Sequence, residues 1–322
     1  MFRLKVARGI AEIERLRPAW DSLFHSELTL FQSHRWNLLA ARCFADREAP
    51  YFIFCESDNG AAIVPAVRRR EADAMGLAGE LLFDYRDYLA RGDEKPLQAA
   101  WRKLSELGLP LDITAVRHPN AAIWNRLPTQ HFSRAPRLHC AGWTRDRFTH
   151  SHARAFSRLR KLERMGLAIC EYSGDSRMAA HIYHLRGRQS APGEIFHDPV
   201  RAEFMIEACR AEESACEIFT LEHGSTVAAA LVTFRDGNCR RFYTTYYDHA
   251  WARYSPGVTL LFEISRRSIE QGLDFDFMTG EQAYKLRIAQ GAEDLYCVRA
   301  SSEELRAAFP APGVSGQKPS AA

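Results

Sequence analysis

Ser255, Pro256 and Gly257 stand between a strand-like run, Phe242–Asp248, and a helical pattern carrying Leu260, Leu261, Ile264 and Ile269. Strand, tight turn and helix N-terminus, in that order, make an anion seat. The first N–H groups of a helix have no intrahelical acceptor, and the positive end of the helix dipole points out of the same turn. The chemistry implied is binding of a phosphorylated ligand through the backbone N–H groups of Gly257, Val258 and Thr259, joined by the Thr259 hydroxyl. The helical pattern stops at Gly272, and a short apolar strand, Leu273–Met278, follows. Directly after it come Gly280, Glu281, Tyr284 and Lys285. Acid–base catalysis needs a group that takes a proton, one that gives a proton and one that stabilises a developing negative charge. A carboxylate, a phenol and an ammonium supply groups of those three kinds. Each also has a plainer reading, because Ser and Pro open helices generally and Glu281 and Lys285 suit any helix start.

Further candidates surround this stretch. Tyr246 and Tyr247 end the preceding strand with Asp248; alternation puts Tyr246 and Asp248 on one face and Tyr247 on the other. Glu194 and His197, in the loop APGEIFHDP, are candidate general bases, or else an exposed polar loop. His181 and His184 are one helical turn apart, but no motif places a third ligand, so no metal is expected. Residues 134–164 hold nine Arg or Lys against Asp146 and Glu163. That run is either a solvated helix face or a contact for a phosphate, a tRNA backbone or an anionic acceptor.

The positioning elements can be read along the chain. A strand at Phe2–Val6 precedes helical patterns at 9–24 and 33–45. A hairpin, Tyr51–Glu56 with Ala61–Val67, turns at Asp58-Asn59-Gly60. A helix near 95–107, a strand near 110–116, a short helix near 120–126 and a strand near 130–138 complete the first half. The second half repeats the order. It has a basic helix at 151–165, helices at 175–189 and 199–213, and a hairpin of Cys216–Glu222 with Thr226–Phe234. A strand at 239–248, the helix at 257–271, a short helix at 283–289 and a strand at 294–300 follow. The repeated order predicts a duplicated fold.

Composition sets the bounds. The 322 residues suggest one large or two ordinary domains. An apolar content of 46% is ample for a core, and a net charge of +3 does not demand nucleic acid. No apolar run approaches the roughly 18 residues of a membrane span, and the charged N-terminus has no secretory core. The eight cysteines form no CxxC pair, the pattern of reduced thiols in a cytoplasmic protein.

The segment SPGVTLLFE resembles the pyrophosphate loop of the GNAT acyltransferases, whose usual form is Arg/Gln-x-x-Gly-x-Gly followed by an apolar pair. Gly257 takes the last glycine slot and Leu260-Leu261 the pair; Ser255 replaces the earlier glycine and Ala252 the basic residue. The longer string YSPG, DFDF, GEQAYK resembles the CelD-type subfamily of cellulose-biosynthesis acetyltransferases, related to the FemABX peptidyl transferases. The resemblance implies an α+β (mixed α/β) fold of tandem GNAT-like lobes, each a mixed, mainly antiparallel sheet flanked by helices. Expected spans are a degenerate lobe at 1–140, a lobe with the acyl-CoA site at 141–305 and a disordered tail at 306–322. It implies an N-acyltransferase that moves an acyl group from acetyl-CoA, or another acyl-CoA, to a small-molecule, sugar or peptide amine by direct attack, without a metal. Ser255, Gly257, Val258, Thr259, Tyr246 and Tyr247 would hold the donor. Tyr284 matches a tyrosine that protonates the thiolate, and Lys285 matches a FemABX lysine near the donor. The alternatives are a FemABX-like transferase using aminoacyl-tRNA, whose inserted helical arm has no counterpart here, and a catalytically silent module. The acceptor, the acyl length and the oligomeric state are not read from the sequence.

Overall fold

A computed structural model describes residues 3–118, 123–210 and 215–311. In chain order the elements are β1 (Arg3–Ala7), α1 (Ile10–Glu14), α2 (Arg17–Leu23), α3 (His34–Cys43), β2 (Glu48–Ser57), β3 (Gly60–Arg69), β4 (Ala74–Leu77), β5 (Leu89–Gly92), α4 (Lys95–Ser105), β6 (Leu111–Val116) and β7 (Thr129–Leu138). They continue with α5 (Arg145–Ser151), α6 (Ala153–Arg164), β8 (Ala168–Ser173), α7 (Ser176–Gln189), α8 (Pro199–Arg210), β9 (Cys216–His223), β10 (Thr226–Asp236), β11 (Cys239–Tyr247), α9 (Pro256–Glu270), β12 (Asp274–Asp276), α10 (Ala283–Leu286), β13 (Gly291–Ala300) and α11 (Ser302–Ala308). The architecture is mixed α/β, with mixed sheets flanked by helices.

The chain forms two compact units, one of residues up to Phe132 with those from Leu295 onward, the other Ser133–Asp294. In the first, the sheet order is β1-β2-β3-β4-β6-β13, with β5 on β3. Strands β2 and β3 are buried on both faces and so read as continuous apolar runs. Their alternate residues Ile53, Cys55, Ala62 and Val64 pack under α4 with Trp101 and Trp124, while Phe52, Phe54, Ile63 and Val67 pack with Trp20. In the second unit the order is β7-β12-β11-β10-β9-β8. Here α6 and α9 cover one face through Leu159, Leu162, Leu260 and Ile264.

The expected lobe boundaries treat each half of the chain as one body. Strand pairing divides it differently. β13, from the end of the second half, pairs antiparallel with β6, whereas β7, from the end of the first, pairs antiparallel with β12. Each unit is completed by a strand from the other half. The expected tail also starts later, because α11 runs through 306–308 and Phe309 is buried; 312–322 lie outside the described residues. So do the first three residues of the short helix expected near 120–126, whose described part is a single turn at Trp124–Arg126, and the last residues of the helix expected at 199–213. One expected helix is two: the 9–24 pattern breaks before α2, which carries Pro in its first turn. The basic helix expected at 151–165 is α6, and a further short helix, α5, precedes it across His152.

The site-bearing helix α9 has sharp ends. Pro256 occupies its first turn, where a missing N–H is harmless. At the other end Gly272 takes φ +69°, Gly272 N–H donates to Ile269 O and Leu273 N–H to Ser268 O. That is a Schellman stop, and it launches β12 directly. A buried arginine fixes the helix to the sheet. Arg240 donates to both Glu217 carboxylate oxygens (2.7 and 2.9 Å), to Ser268 Oγ and to Gln271 Oε1, and lies over the Phe219 ring. Arg240→Ala leaves the Glu217 carboxylate only its longer contacts to Arg235 (3.3 Å) and Thr233 (3.5 Å) and should lower the stability of the protein by up to about 3–5 kcal/mol in chemical denaturation. The paired change Arg240→Met with Glu217→Leu should be milder than Arg240→Ala alone.

Candidate active site

The site begins where two strands part. β11 and β12 are parallel for only three residue pairs, Cys239↔Asp274, Arg240↔Phe275 and Arg241↔Asp276. Beyond Arg241, β11 stays with β10 as far as Tyr247↔Ala229, and a register shift skips Tyr243. Such a bulge bends and twists its strand. Past Asp276 the chain keeps to β7 instead, with Phe277 N–H on Pro136 O and Gly280 N–H on Arg134 O. Among the described residues, the edge of β11 from Phe242 to Tyr247 therefore has no strand partner on the β12 side, the geometry expected where a ligand's amides pair with backbone.

The vertex of this opening is ionic. Asp276 is fully buried; it accepts from Arg241 Nη1 at 2.5 Å and from Met278 N–H at 2.8 Å, with Arg137 at 3.5 Å. Arg241 also holds Asp236, and Arg137 also holds Glu293. Met278 (φ +61°) and Gly280 (φ +104°) then turn the chain out of the strand. A methionine in that region stores strain of the kind that collects at functional sites.

At the far end of β11 stands the N-terminus of α9. Ser255 takes a left-handed conformation, φ +49° and ψ +53°, and its side chain makes no cap bond. The position calls for what glycine provides freely, which explains how serine fills the earlier glycine slot. Gly257 allows close approach: a Cβ there would lie 3.3 Å from Thr245 Oγ1 and 3.7 Å from Tyr247 Cβ. A side chain at 257 would press on β11 and not on a ligand. The expected N–H donors need one correction, since Thr259 N–H is already used by Ser255 O. Gly257 and Val258 remain without an intrahelical acceptor. Thr259 is 2% exposed, and its hydroxyl has no hydrogen-bond partner among the described residues.

A groove of about 680 Å³ opens beside that hydroxyl, between the starts of α6 and α9. His152, Arg154, Arg158, Val258, Thr259, Phe262 and Arg287 line it. The His152 ring sits between Phe148 (4.5 Å) and Phe262 (5.0 Å), and burial pulls its pKa below the usual value, so it is neutral at pH 7. The basic run of 134–164 is now partitioned. Arg134, Arg137 and Arg145 pair with carboxylates, and Arg147 and Lys161 lie over Trp143 and Tyr254. Arg154 and Arg158, together with Arg287, have no ion-pair partner among the described residues. Sequence reasoning marked Arg154 and Arg158 only as part of a run, and it missed Arg287, His152 and Phe262.

The other expected residues fall into three groups. Tyr246 is buried and its phenol is pushed up by burial, whereas Tyr247 is exposed, stacks on His249 and gives its carbonyl to Gln189. Tyr284 packs against the α9-side core. Burial raises its phenol above the ordinary value, Arg186 opposes that shift, and its hydroxyl has no hydrogen-bond partner among the described residues. Lys285 is buried, donates to Thr279 O at 2.8 Å and lies near the Phe242 ring. Glu281 is exposed and paired with Arg134 at 3.2 Å. Glu194 and His197 are exposed on the loop after α7, where His197 Nδ1 meets Ser190 O at 3.3 Å. Neither makes a hydrogen bond or ion pair to β11, α9 or α10 among the described residues. No group of three metal-ligating side chains occurs among the described residues, and no helix there is long and apolar enough to cross a membrane.

These features coincide with a known domain. Residues 157–286 match the family of Acetyltransferase (GNAT) domains. That span runs from α6 to α10 and takes in the strand opening and the α9 N-terminus. No curated protein matches the chain. Among solved structures, the C-terminal domain (DUF2156) assigned to a lysylphosphatidylglycerol synthetase of Agrobacterium fabrum has a TM-score of 0.58 at 10% identity, over 93% of this chain and 95% of that one. FemX has a TM-score of 0.56 at 11% identity, over 86% and 94%. The L-PGS of Bacillus licheniformis has 0.55 at 10%, over 84% and 91%. At such identities the likeness is one of fold.

The unpartnered Thr259 hydroxyl gives a direct test. Thr259→Val keeps the shape and removes a buried polar group, so the melting temperature of the free protein should hold or rise. Affinity for inorganic pyrophosphate, read by calorimetry, should fall about 2- to 13-fold, the equivalent of one ordinary hydrogen bond. Unchanged affinity would remove Thr259 from the anion seat.

Proposed function

We propose that this GNAT-fold protein is an acyl-CoA-dependent N-acyltransferase of the CelD type, using acetyl-CoA or another acyl-CoA as donor. The observation that carries the reading is the unpaired edge of β11 leading straight to the N-terminus of α9. A pantetheine arm presents amides that pair with such an edge, and a diphosphate suits the N–H groups of Gly257 and Val258. The groove beyond Thr259 takes the rest of the nucleotide. Ser255 shapes the turn, and Tyr246 and Tyr247 flank the arm where it leaves β11.

The reaction follows from this placement. An uncharged amine attacks the thioester carbon; the C–N bond forms and the C–S bond breaks. The amine's proton goes to a base on the acceptor side, for which Glu194 and His197 are the candidates, with Glu281 as a third once it leaves Arg134. The departing thiolate takes a proton from Tyr284, and the phenolate is reprotonated from solvent. Lys285 acts as a positioning residue: its ammonium ties down the carbonyl of Thr279 and so fixes the turn that carries Tyr284. A small-molecule, sugar or peptide amine fits as acceptor.

Tyr284→Phe keeps the ring and removes the proton. Turnover should fall about 10²- to 10⁴-fold with donor affinity little changed. Because burial raises the phenol above its ordinary value of 10.0, Tyr284 stays protonated throughout the range below it. The wild-type rate should therefore show no descending limb from this group below pH 10. Lys285→Met removes the charged hydrogen bond to the Thr279 carbonyl, so turnover should drop together with a loss of about 1–3 kcal/mol of stability. Acetyl-CoA and charged tRNA, offered separately to the purified protein, test the donor. Binding and turnover with the thioester support the proposal; transfer only from aminoacyl-tRNA would replace it with the FemABX-like alternative, and binding without turnover by any amine would favour a silent module.

A further inference from the structure

Resting on the acyl-CoA reading above, we propose that the α6 wall of the groove is a seat for a second phosphate, a phosphomonoester carried apart from the diphosphate. It would make the protein select CoA over its 3′-dephosphorylated form. The starting observation is a surplus of anion-binding features. The N-terminus of α9 offers the N–H groups of Gly257 and Val258, enough for one diphosphate. A second helix start faces the same groove. α6 runs for 12 residues from Ala153, its cap residue His152 contributes no side-chain bond, and the first N–H taken up is that of Ala155, on His152 O. Ala153 and Arg154 therefore present N–H groups without an intrahelical acceptor.

Side-chain charge points the same way. Arg154 and Arg158 are one turn apart on α6, and Arg287 follows α10; all three line the groove. None has an ion-pair partner among the described residues. Elsewhere in this unit Arg145, Arg240, Arg241 and Arg266 all meet carboxylates. Three unmatched guanidinium groups exceed what a diphosphate diester, with its two charges, neutralises. A phosphomonoester adds roughly 1.5–2 negative charges and three acceptor oxygens. The third observation is Thr259, which lines the same groove, is 2% exposed and has a hydroxyl without a hydrogen-bond partner among the described residues. A buried polar group in that state marks a place for a ligand atom. The volume, about 680 Å³, falls within the usual range for a small-molecule site.

Calorimetry with CoA, 3′-dephospho-CoA and a short RNA ending in CCA tests the assignment. It compares the wild-type protein, the double variant Arg154→Gln with Arg158→Gln, and Arg160→Gln, an exposed position on the same helix outside the groove. Wild type should prefer CoA to dephospho-CoA by at least tenfold. The double variant should weaken CoA about 10- to 100-fold, as expected for charge-assisted phosphate contacts, and leave dephospho-CoA within about threefold. Arg160→Gln should retain the preference. Equal weakening of both nucleotides by the double variant, no preference in wild type, or the same loss in Arg160→Gln would overturn the second seat while leaving the acyl-CoA reading in place. Failure of wild type to bind either nucleotide would overturn both. Tighter binding of the RNA than of CoA, lost in the double variant, would assign the seat to a nucleic-acid backbone and overturn the proposal.

Discussion

The geometry of the second unit depends on one buried ion pair. Arg241 and Asp276 are the last residues of the β11/β12 ladder and also each other's charge partners. A carboxylate with no solvent exposure is stable only while its acceptor sites are filled. Asp276 fills them with Arg241, Arg137 and the Met278 N–H. The strands cannot slide at this point without uncovering a charge, so the opening begins at a fixed residue. Above it the bulge at Tyr243 carries β11 one way, while hydrogen bonds to β7 hold the chain after β12 the other way. The cleft is built into the sheet and needs no ligand to open it.

The rest of the site follows from that opening. β11 is anchored at its base and ends against α9, where Gly257 permits contact close enough for the helix to point its first turn along the strand edge. Arg240, next to the vertex, holds the last turn of the same helix through Ser268 and Gln271. Neighbouring arginines on one strand thus set the two variables that matter, where the cleft starts and how the helix dipole is aimed. The groove arginines are left out of these networks. Their freedom from partners is a property of the folded chain, since the sequence supplies ample carboxylates elsewhere.

Much of this was legible in the sequence. The turn at 255–257, the helix after it, both hairpins and most other elements are local patterns of periodicity and capping, and they lie within a few residues of where they were expected. The exchange of β7 and β13 was not legible. Both read as strands, but a strand's partner is chosen by contacts far away in sequence, and nothing in local alternation says which sheet it joins. The short helix α5 ahead of His152 was not read from the sequence, because seven residues are too few to show a helical period. The charge run at 134–164 was ambiguous for a related reason. Whether an arginine is structural depends on a carboxylate more than a hundred residues away, as Arg137 with Asp276 and Arg145 with Glu270 show. Ser255 seemed a departure from the glycine pattern, and only its backbone angles show that it takes the glycine's conformation.

Tyr284 carries a tension that bears on the chemistry. Burial keeps it protonated, which an acid needs, yet a phenol raised above 10 is a poor donor to a thiolate whose unperturbed pKa is near 8.5. Transfer in that direction is uphill by more than about 2 kcal/mol, at 1.36 kcal/mol per unit. Arg186 works against this, because its positive charge favours the phenolate and so lowers the phenol's pKa. It also has no ion-pair partner of its own among the described residues, so none of that field is spent on a carboxylate. On the proposed reaction, the sulfur becomes more basic as it loses the acyl carbon, so a proton moving late in C–S cleavage meets an acceptor approaching the free thiolate in basicity. The arrangement therefore suits an acid that stays protonated until the bond breaks, with the developing phenolate met by a charge already in place.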